Sequence, residues 1–245
     1  MKLHKTLYGL KQSVREWHKE LTKLLAKMGF RRSDSDPGLY IRKQGRCFIF
    51  LWVDDLFVFS KSEGLQELIN EVLSVFKGRD LGNLTWALGA EILRDRPNKT
   101  ITLSQNRKIL NMLDKFGMSD CKSSPTPLVP REQLRSVKDH PECAASKAEH
   151  SQFMSAVGSI QYLVCVTRPD LAYACNALAR HMGGSMSEHW KAVQRVLRYL
   201  KGTVNVGIEF RGAQGSSEAA LEAYSDADFA NEKGLKSVSG MLVRV

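Results

Sequence analysis

Apolar and polar positions along the chain follow two rhythms, one of period 3.6 and one of period 2. Over residues 12–28, Trp17, Leu21, Leu24, Leu25 and Met28 recur at i, i+4, i+7, i+8 and i+11, the spacing of one buried helical face, and Gly29 stops the run. A second helix is predicted from Glu63 to Phe76, with Leu65, Leu68, Ile69, Val72, Leu73 and Phe76 on one stripe. A short strand is expected near Leu39–Arg42, after the turn chemistry of Asp34-Ser-Asp-Pro-Gly38. From Cys47 to Phe59 two runs of β-favouring residues flank Asp54 and Asp55, which places that pair at a hairpin tip. Strands are predicted at Leu84–Leu93 and Thr100–Leu103, separated by a turn at Arg96-Pro-Asn98. Ser104 can cap a helix running to about Phe116, with Gly117 ending it.

Residues 119–150 break the rhythm. Pro125, Pro127, Pro130 and Pro141 fall among scattered charges with few large apolar residues, which reads as a linker or a long surface connection. Helical periodicity returns at 151–165, 170–182 and 187–201, and Thr167 and Asp170 have the spacing of a capping box, with Asp in place of Glu. The third of these helices is doubly patterned. Trp190, Val193, Leu197 and Leu200 form an apolar stripe, Lys191, Arg195 and Arg198 form a basic one, and Gly202 stands where a C-terminal stop belongs. Residues 204–210 and 220–225 are again strand-like, and the sequence ends inside such a pattern at Val245. No internal repeat is visible.

Composition adds limits. The 245 residues are 43% apolar and 25% charged, ordinary for a globular chain of one large or two modest domains. The longest apolar stretch, Cys47 to Phe59, is 13 residues with two aspartates at its middle, too short for a membrane span, and the basic N-terminus has no signal-peptide core. Five cysteines without C-x2-C spacing argue against zinc, and an odd count suits a reducing, intracellular compartment, cytoplasmic or nuclear. The six histidines show no metal-site spacing. Lys+Arg number 36 against 26 Asp+Glu, a net charge of +10, and residues 1–60 alone carry twelve basic and six acidic side chains. Such a balance suits an acidic partner, nucleic acid being the commonest.

The Asp54-Asp55 pair carries the strongest chemical signal. Adjacent carboxylates repel, and apolar flanks offer them little solvation. A divalent cation resolves the conflict: Mg²⁺ accepts one or two carboxylates, keeps several waters and bridges substrate phosphates, as phosphoryl transfer requires. The plain alternative is a solvated turn, where Asp is common.

Trp52-Val-Asp-Asp55 resembles the catalytic block of reverse transcriptases, in the form typical of copia-type retrotransposons. Other blocks agree in order. Leu7-Tyr-Gly-Leu-Lys-Gln-Ser-Val-Arg-Glu-Trp17 is similar to the block ahead of the catalytic hairpin, and Arg79–Ile92 to the segment after it. Ser104-Gln105 and Phe116-Gly-Met118 resemble its next helix. Val157–Leu163, Thr167-Arg-Pro-Asp-Leu-Ala-Tyr173 and His189–Thr203 resemble the region beyond the polymerase core, while Tyr224–Ala230 and Lys236–Gly240 resemble the opening of a ribonuclease H domain.

The resemblance implies an α+β chain: a partial polymerase palm, an antiparallel sheet with helices, and the start of the thumb over residues 1–118. A proline-containing linker (119–150), a helical thumb and connection (151–203) and an incomplete ribonuclease H-like start (204–245) follow. It implies template-directed nucleotidyl transfer with two Mg²⁺ ions, on an RNA or DNA template-primer duplex with deoxynucleoside triphosphates. By position, Asp54 and Asp55 become catalytic metal ligands, Tyr8, Gly9 and Lys11 fall at the nucleotide pocket, and Leu88, Gly89 and Glu91 fall where the primer end is gripped. Asp226 matches the first ribonuclease H carboxylate, whereas Asp228 is not expected to be a ligand. Physical roles are available: glycine lets backbone approach a nucleotide, and lysine offsets phosphate charge. The alternatives are a solvated Lys11, a plain core strand around Leu88 and an exposed loop acid at Asp226. Lys191, Arg195 and Arg198 can lie along a phosphate backbone, or simply form a solvated face.

Departures from the family pattern set a further expectation. A catalytic Asp that the family carries upstream of the Leu7–Trp17 block has no counterpart after Met1, and further ribonuclease H acids would lie beyond Val245. Trp52 replaces the usual Tyr, Val14 a Pro and Phe229 a Trp. The isolated chain is therefore expected to be inactive as a polymerase. The alternatives are a non-catalytic, basic nucleic-acid-binding remnant, or a functionless relic.

Overall fold

The structure, a computed structural model, describes residues 9–43, 46–129, 134–212, 221–228 and 237–244. The chain forms two compact units, Met1–Leu84 and Thr85–Val245. Each combines helices with antiparallel sheet, so the chain is α+β.

In the first unit, helix α1 (Lys11–Lys27) precedes strands β1 (Arg31–Arg32), β2 (Leu39–Arg42), β3 (Cys47–Trp52) and β4 (Asp55–Phe59), and helix α2 (Ser62–Val75) follows. The strands pair in sequence order, all antiparallel. Period-2 alternation divides them between two faces. Tyr40, Cys47, Ile49 and Leu51 point to one face and pack with Leu21 and Leu25 of α1 and Leu68 and Val72 of α2 in a single core. Each such large apolar side chain contributes roughly 1.5–3 kcal/mol by leaving water. The Thr22 hydroxyl donates to the His18 carbonyl at 2.8 Å, so the buried Tyr40 hydroxyl is the donor in its 2.7 Å bond to Thr22. Arg42 donates to Met28 O at 3.2 Å and to Glu71 at 2.9 Å, clasping α1, β2 and α2 together.

The second unit opens with β5 (Trp86–Ala87), β6 (Ala90–Asp95) and β7 (Thr100–Ser104), followed by helices α3 (Asn106–Lys115), α4 (Lys147–Val166), α5 (Ala172–Ala179) and α6 (Ser187–Gly202). Strand β8 (Ile208–Arg211) then returns to pair with β7, completing a four-stranded sheet in the order β5-β6-β7-β8. Ile109, Leu113, Phe153, Val157, Ile160, Leu163, Leu178, Val193, Val196 and Leu200 bring all four helices into one core. A hairpin of β9 (Glu222–Ala227) and β10 (Ser239–Arg244) closes the chain, with every residue exposed.

Several expectations are corrected. The stretch from Leu84 to Leu93 is not one strand: a turn at Leu88-Gly89, both at positive φ, folds it into β5 and β6. Ser104 does not cap a helix; it is the last residue of β7, and Gln105 occupies the cap position without a side-chain cap bond. Thr167 and Asp170 form no capping box, because the Thr167 hydroxyl donates to Gln105 and Asp170 binds Arg168. A 3-10 turn at Pro169–Leu171 precedes α5, which ends at Ala179. Helix α4 begins at Lys147, earlier than the apolar periodicity indicates, because Ser146 and Glu149 make a true capping box.

The proline-containing segment is tied to α6 and to the residues just ahead of it at several points. Ser124 N–H donates to Arg198 O at 3.2 Å, and Ala145 N–H to Ser185 O at 2.8 Å. Arg135 pairs with Glu188, and fully buried His189 reaches Arg135 O through Nε2 at 2.9 Å. The Nδ1 of His189 accepts from Met186 N–H at 3.1 Å, so the ring is neutral with its proton on Nε2. Burial holds the His189 imidazole below its ordinary value, outweighing the opposing pull of its Arg135 hydrogen bond and of Glu188. Above the unfolded value of about 6.5 the ring is neutral in both states. Below it, the unfolded chain takes up the proton first, so this contribution to stability disappears as pH falls. Unfolding measured across this range is expected to lose about 1 kcal/mol per unit of depression, and His189→Gln, which can donate and accept in the same places, should flatten the profile. An equally steep profile in the variant would assign the titration elsewhere.

Candidate active site

Asp54 and Asp55 sit at the tip of the β3–β4 hairpin, as the two flanking apolar runs predict. Trp52 pairs with Asp55, leaving Val53 and Asp54 as a two-residue loop. Val53 has φ of 54° and Asp54 is not left-handed, the pattern of a type II′ turn in which glycine is usual at the first position. A β-branched residue there costs about 1–2 kcal/mol, strain that the paired strands must hold in place. Both carboxylates are exposed. Among the described residues neither enters a hydrogen bond or an ion pair, so the pair is available to a ligand.

Behind the tip, the second face of the first sheet is aromatic. Phe48 pairs with Phe59 and Phe50 with Phe57, and Trp52 lies beyond them. Phe50 stacks on both Trp52 and Phe57, with ring centroids 6.5 and 6.1 Å apart. Phe48, Trp52 and Phe59 remain exposed. The alternation of these positions was legible in the sequence, but nothing there said which face stays open.

The remaining predicted site residues are distributed over both units. Tyr8 lies outside the described residues. Gly9, at φ 91°, and Lys11, the first residue of α1, are exposed in the first unit. In the second unit, Leu88 and Gly89 form the β5–β6 turn and Glu91 pairs with Trp86 and Ser104. Tyr162 of α4 donates its hydroxyl to Leu88 O at 2.8 Å, and fully buried Gln105 reaches Gly89 O at 3.4 Å. The φ of 76° favours glycine at position 89, and a Cβ there would also push the Tyr162 hydroxyl off its bond to Leu88 O.

Asp226 lies exposed on β9, one oxygen accepting from Ala227 N–H at 2.9 Å, while Asp228 accepts from Val238 N–H at 2.6 Å. Lys191, Arg195 and Arg198 line a single cavity of about 400 Å³. Arg195 also donates to Thr126 Oγ1 at 2.9 Å, and Arg198 to Lys122 O at 2.8 Å.

Sequence reasoning missed the polar cluster behind the Leu88-Gly89 turn. Arg168, fully buried, holds both oxygens of Asp170 at 2.9 and 2.8 Å and also binds Thr203 through its carbonyl and hydroxyl at 3.0 and 2.8 Å. Burial by itself would raise the Asp170 carboxyl, but the hydrogen bonds and charge of Arg168 outweigh it and hold the group below its usual value. Thr167, next to Arg168, donates to Gln105 Oε1 at 2.8 Å, which links this cluster to the Gly89 turn.

The two carboxylates suit a hard divalent cation such as Mg²⁺, which uses one or two carboxylates together with substrate phosphates. Among the described residues no group of three or more His, Cys, Asp or Glu is arranged to hold a metal. No described helix is long and apolar enough to cross a membrane.

Comparison with known proteins places these features in a family. The family model described as reverse transcriptase (RNA-dependent DNA polymerase) matches residues 1–130. The chain is 34% identical to the retrovirus-related Pol polyprotein from transposon TNT 1-94 of Nicotiana tabacum, over 98% of this chain and 18% of that protein. It is 35% identical to the Pol polyprotein from transposon RE1 of Arabidopsis thaliana, over 95% of this chain and 15% of that one. An uncharacterized mitochondrial protein of Arabidopsis thaliana is 34% identical over 75% of this chain and 72% of its own length. The chain thus spans less than a fifth of the two transposon polyproteins. No solved structure matches it.

Proposed function

This chain belongs to the reverse transcriptase (RNA-dependent DNA polymerase) family, and we propose that it is the part of a copia-type retrotransposon polymerase that carries the catalytic hairpin and the regions following it. In this reading the first unit supplies a portion of the palm, the helices of the second unit form the thumb and connection, and the β9–β10 hairpin opens a ribonuclease H-like domain. The ancestral reaction is template-directed nucleotidyl transfer on an RNA or DNA template-primer duplex, within the cell.

One observation carries the proposal: two adjacent exposed carboxylates, without a partner among the described residues, stand on a strained two-residue turn. Asp54 and Asp55 would hold Mg²⁺, and the bound cation would neutralise triphosphate charge. Asp54, within the loop, is the more direct ligand, and Asp55, anchored as the first residue of β4, holds the tip in register. Gly9 and Lys11 belong to the nucleotide pocket together with Tyr8. The Leu88-Gly89 turn and Glu91 meet the primer end, and Asp226 is the first ribonuclease H carboxylate.

Two carboxylates offset only half the charge of two Mg²⁺ ions, so the isolated chain should bind metal weakly and fail to extend a primer. Mn²⁺ binding followed by water-proton relaxation should weaken at least tenfold in Asp54→Asn/Asp55→Asn, a loss of about 1.4 kcal/mol. Binding indifferent to that change would remove these residues from the site. Robust primer extension by the wild-type chain, abolished by Asp54→Asn, would show instead that the carboxylates present suffice.

A second reading, a non-catalytic nucleic-acid-binding remnant, is favoured by a separate observation. Lys191, Arg195 and Arg198 surround one cavity with no carboxylate among the described residues of its lining.

A further inference from the structure

We infer that the cavity between α6 and the 118–129 segment is a phosphate pocket that seats one backbone phosphate of a nucleic-acid strand. The inference deepens the nucleic-acid-binding reading and rests on it. The lining is Met118, Val129, Lys191, Ala192, Gln194, Arg195 and Arg198. Three cations at i, i+4 and i+7 on one helix face repel one another, and no acid among the described lining residues relieves them. Their arrangement is favourable only with an anion among them.

The second observation is a buried donor without an acceptor. Arg195 Nε is shielded from water and has no hydrogen-bond partner among the described residues, a condition costing about 1–3 kcal/mol. The same guanidinium is not loose, since its Nη2 donates to Thr126 Oγ1 and that hydroxyl donates onward to Leu128 O at 2.9 Å. Arg198 is oriented likewise by its bond to Lys122 O. Both planar forks are therefore fixed before any ligand arrives, the preorganisation that makes arginine effective at phosphate. Gln194 adds an amide donor, and Met118, Val129 and Ala192 provide apolar walls that strengthen the charge interaction by excluding water. Lys191 stands exposed at the rim, where a strand continuing out of the pocket would pass. A net charge of +10 steers such a polyanion toward the chain.

The test uses the full chain and a fluorescein-labelled RNA–DNA hybrid, with anisotropy titrations across a salt series. Lys191→Gln removes one cation without touching the packing of the 118–129 segment, and Gln194→Glu places a carboxylate in the lining while leaving every cation in place. Each variant is expected to weaken hybrid binding about tenfold, with the slope of log affinity against log salt falling by about one contact. Wild-type affinity and slope in both variants would overturn the inference, as would a wild-type chain that does not bind the hybrid at low salt. A thermal-shift arm with inorganic phosphate separates the sources of the anion. Phosphate stabilisation lost in Gln194→Glu, with hybrid binding unchanged, would make this a site for a free phosphate and overturn the backbone assignment. Failure of the polymerase reading would appear elsewhere, as Mn²⁺ binding that ignores Asp54 and Asp55.

Discussion

Arg168→Met is expected to destabilise the second unit by about 2–3 kcal/mol. The guanidinium is fully buried, and four of its N–H bonds are spent, two on Asp170 and two on Thr203. Methionine fills much of the volume but leaves the Asp170 carboxylate without its counter-charge and Thr203 O with Val206 N–H as its remaining donor. Tyr199 still donates to Asp170 at 2.9 Å and the exposed carboxylate keeps water, so most of the loss falls on the buried end of the network at Arg168 and Thr203. The loss should be strongly non-additive. Once Arg168 is gone, Asp170→Asn removes the orphaned charge, so the double variant should cost little more than the single one, or even less. Chemical denaturation of the four proteins in the cycle measures this directly. A single-variant loss below about 1 kcal/mol would mean that water or relaxation replaces the network. The consequence reaches the Leu88-Gly89 turn, because the adjacent Thr167 holds Gln105, and Gln105 supports Gly89 O.

That network also shows where the sequence stops being readable. Arg168 sits in a Thr-Arg-Pro-Asp string, and by composition an arginine there belongs on the surface. Its burial depends on Thr203, 35 positions away, and no local pattern encodes such a partner. The helices were legible because their apolar faces repeat at 3.6. The β3–β4 hairpin was legible because two β-favouring runs bracket the two aspartates. The Leu88-Gly89 turn was not, since leucine at positive φ gives no turn signal and the turn is stabilised from outside by Tyr162. For residues 119–150 the prolines indicate a linker or a long surface connection, and what they do not encode is that Arg198 of α6 bonds the backbone at Lys122 and Ser124. At Ser146 the signal was present, Ser followed three residues later by Glu, but the apolar face begins farther along and pulled the predicted start with it. Local pattern therefore found the elements and the Asp pair, whereas the supports of the candidate site lie in contacts between residues distant in sequence.

The strand that closes the second sheet provides the other large effect. A Cβ added at Gly207, just ahead of β8, would overlap the Leu103 carbonyl oxygen and lie 3.1 Å from the Leu103 carbonyl carbon and 3.2 Å from Ser104 Cα. These are backbone atoms of β7, so no rotamer change can make room. At Gly89 the obstruction is the tip of Tyr162, a side chain that can swing aside. Gly207→Ala therefore has to separate β8 from β7, beginning at the Leu103–Ile208 pair. The expected loss is about 3 kcal/mol or more, at the upper end for overpacking. Hydrogen exchange should localise it, with amide protection falling along β7 and β8 while Ile160 and Leu163 in the helical core keep theirs. Glu91, next to the Leu88-Gly89 turn, pairs with Ser104 of β7, so loosening β7 should disturb that turn without altering any residue in it. If Gly207→Ala leaves stability within about 1 kcal/mol of wild type, the close approach of β8 to β7 is not what holds this sheet together.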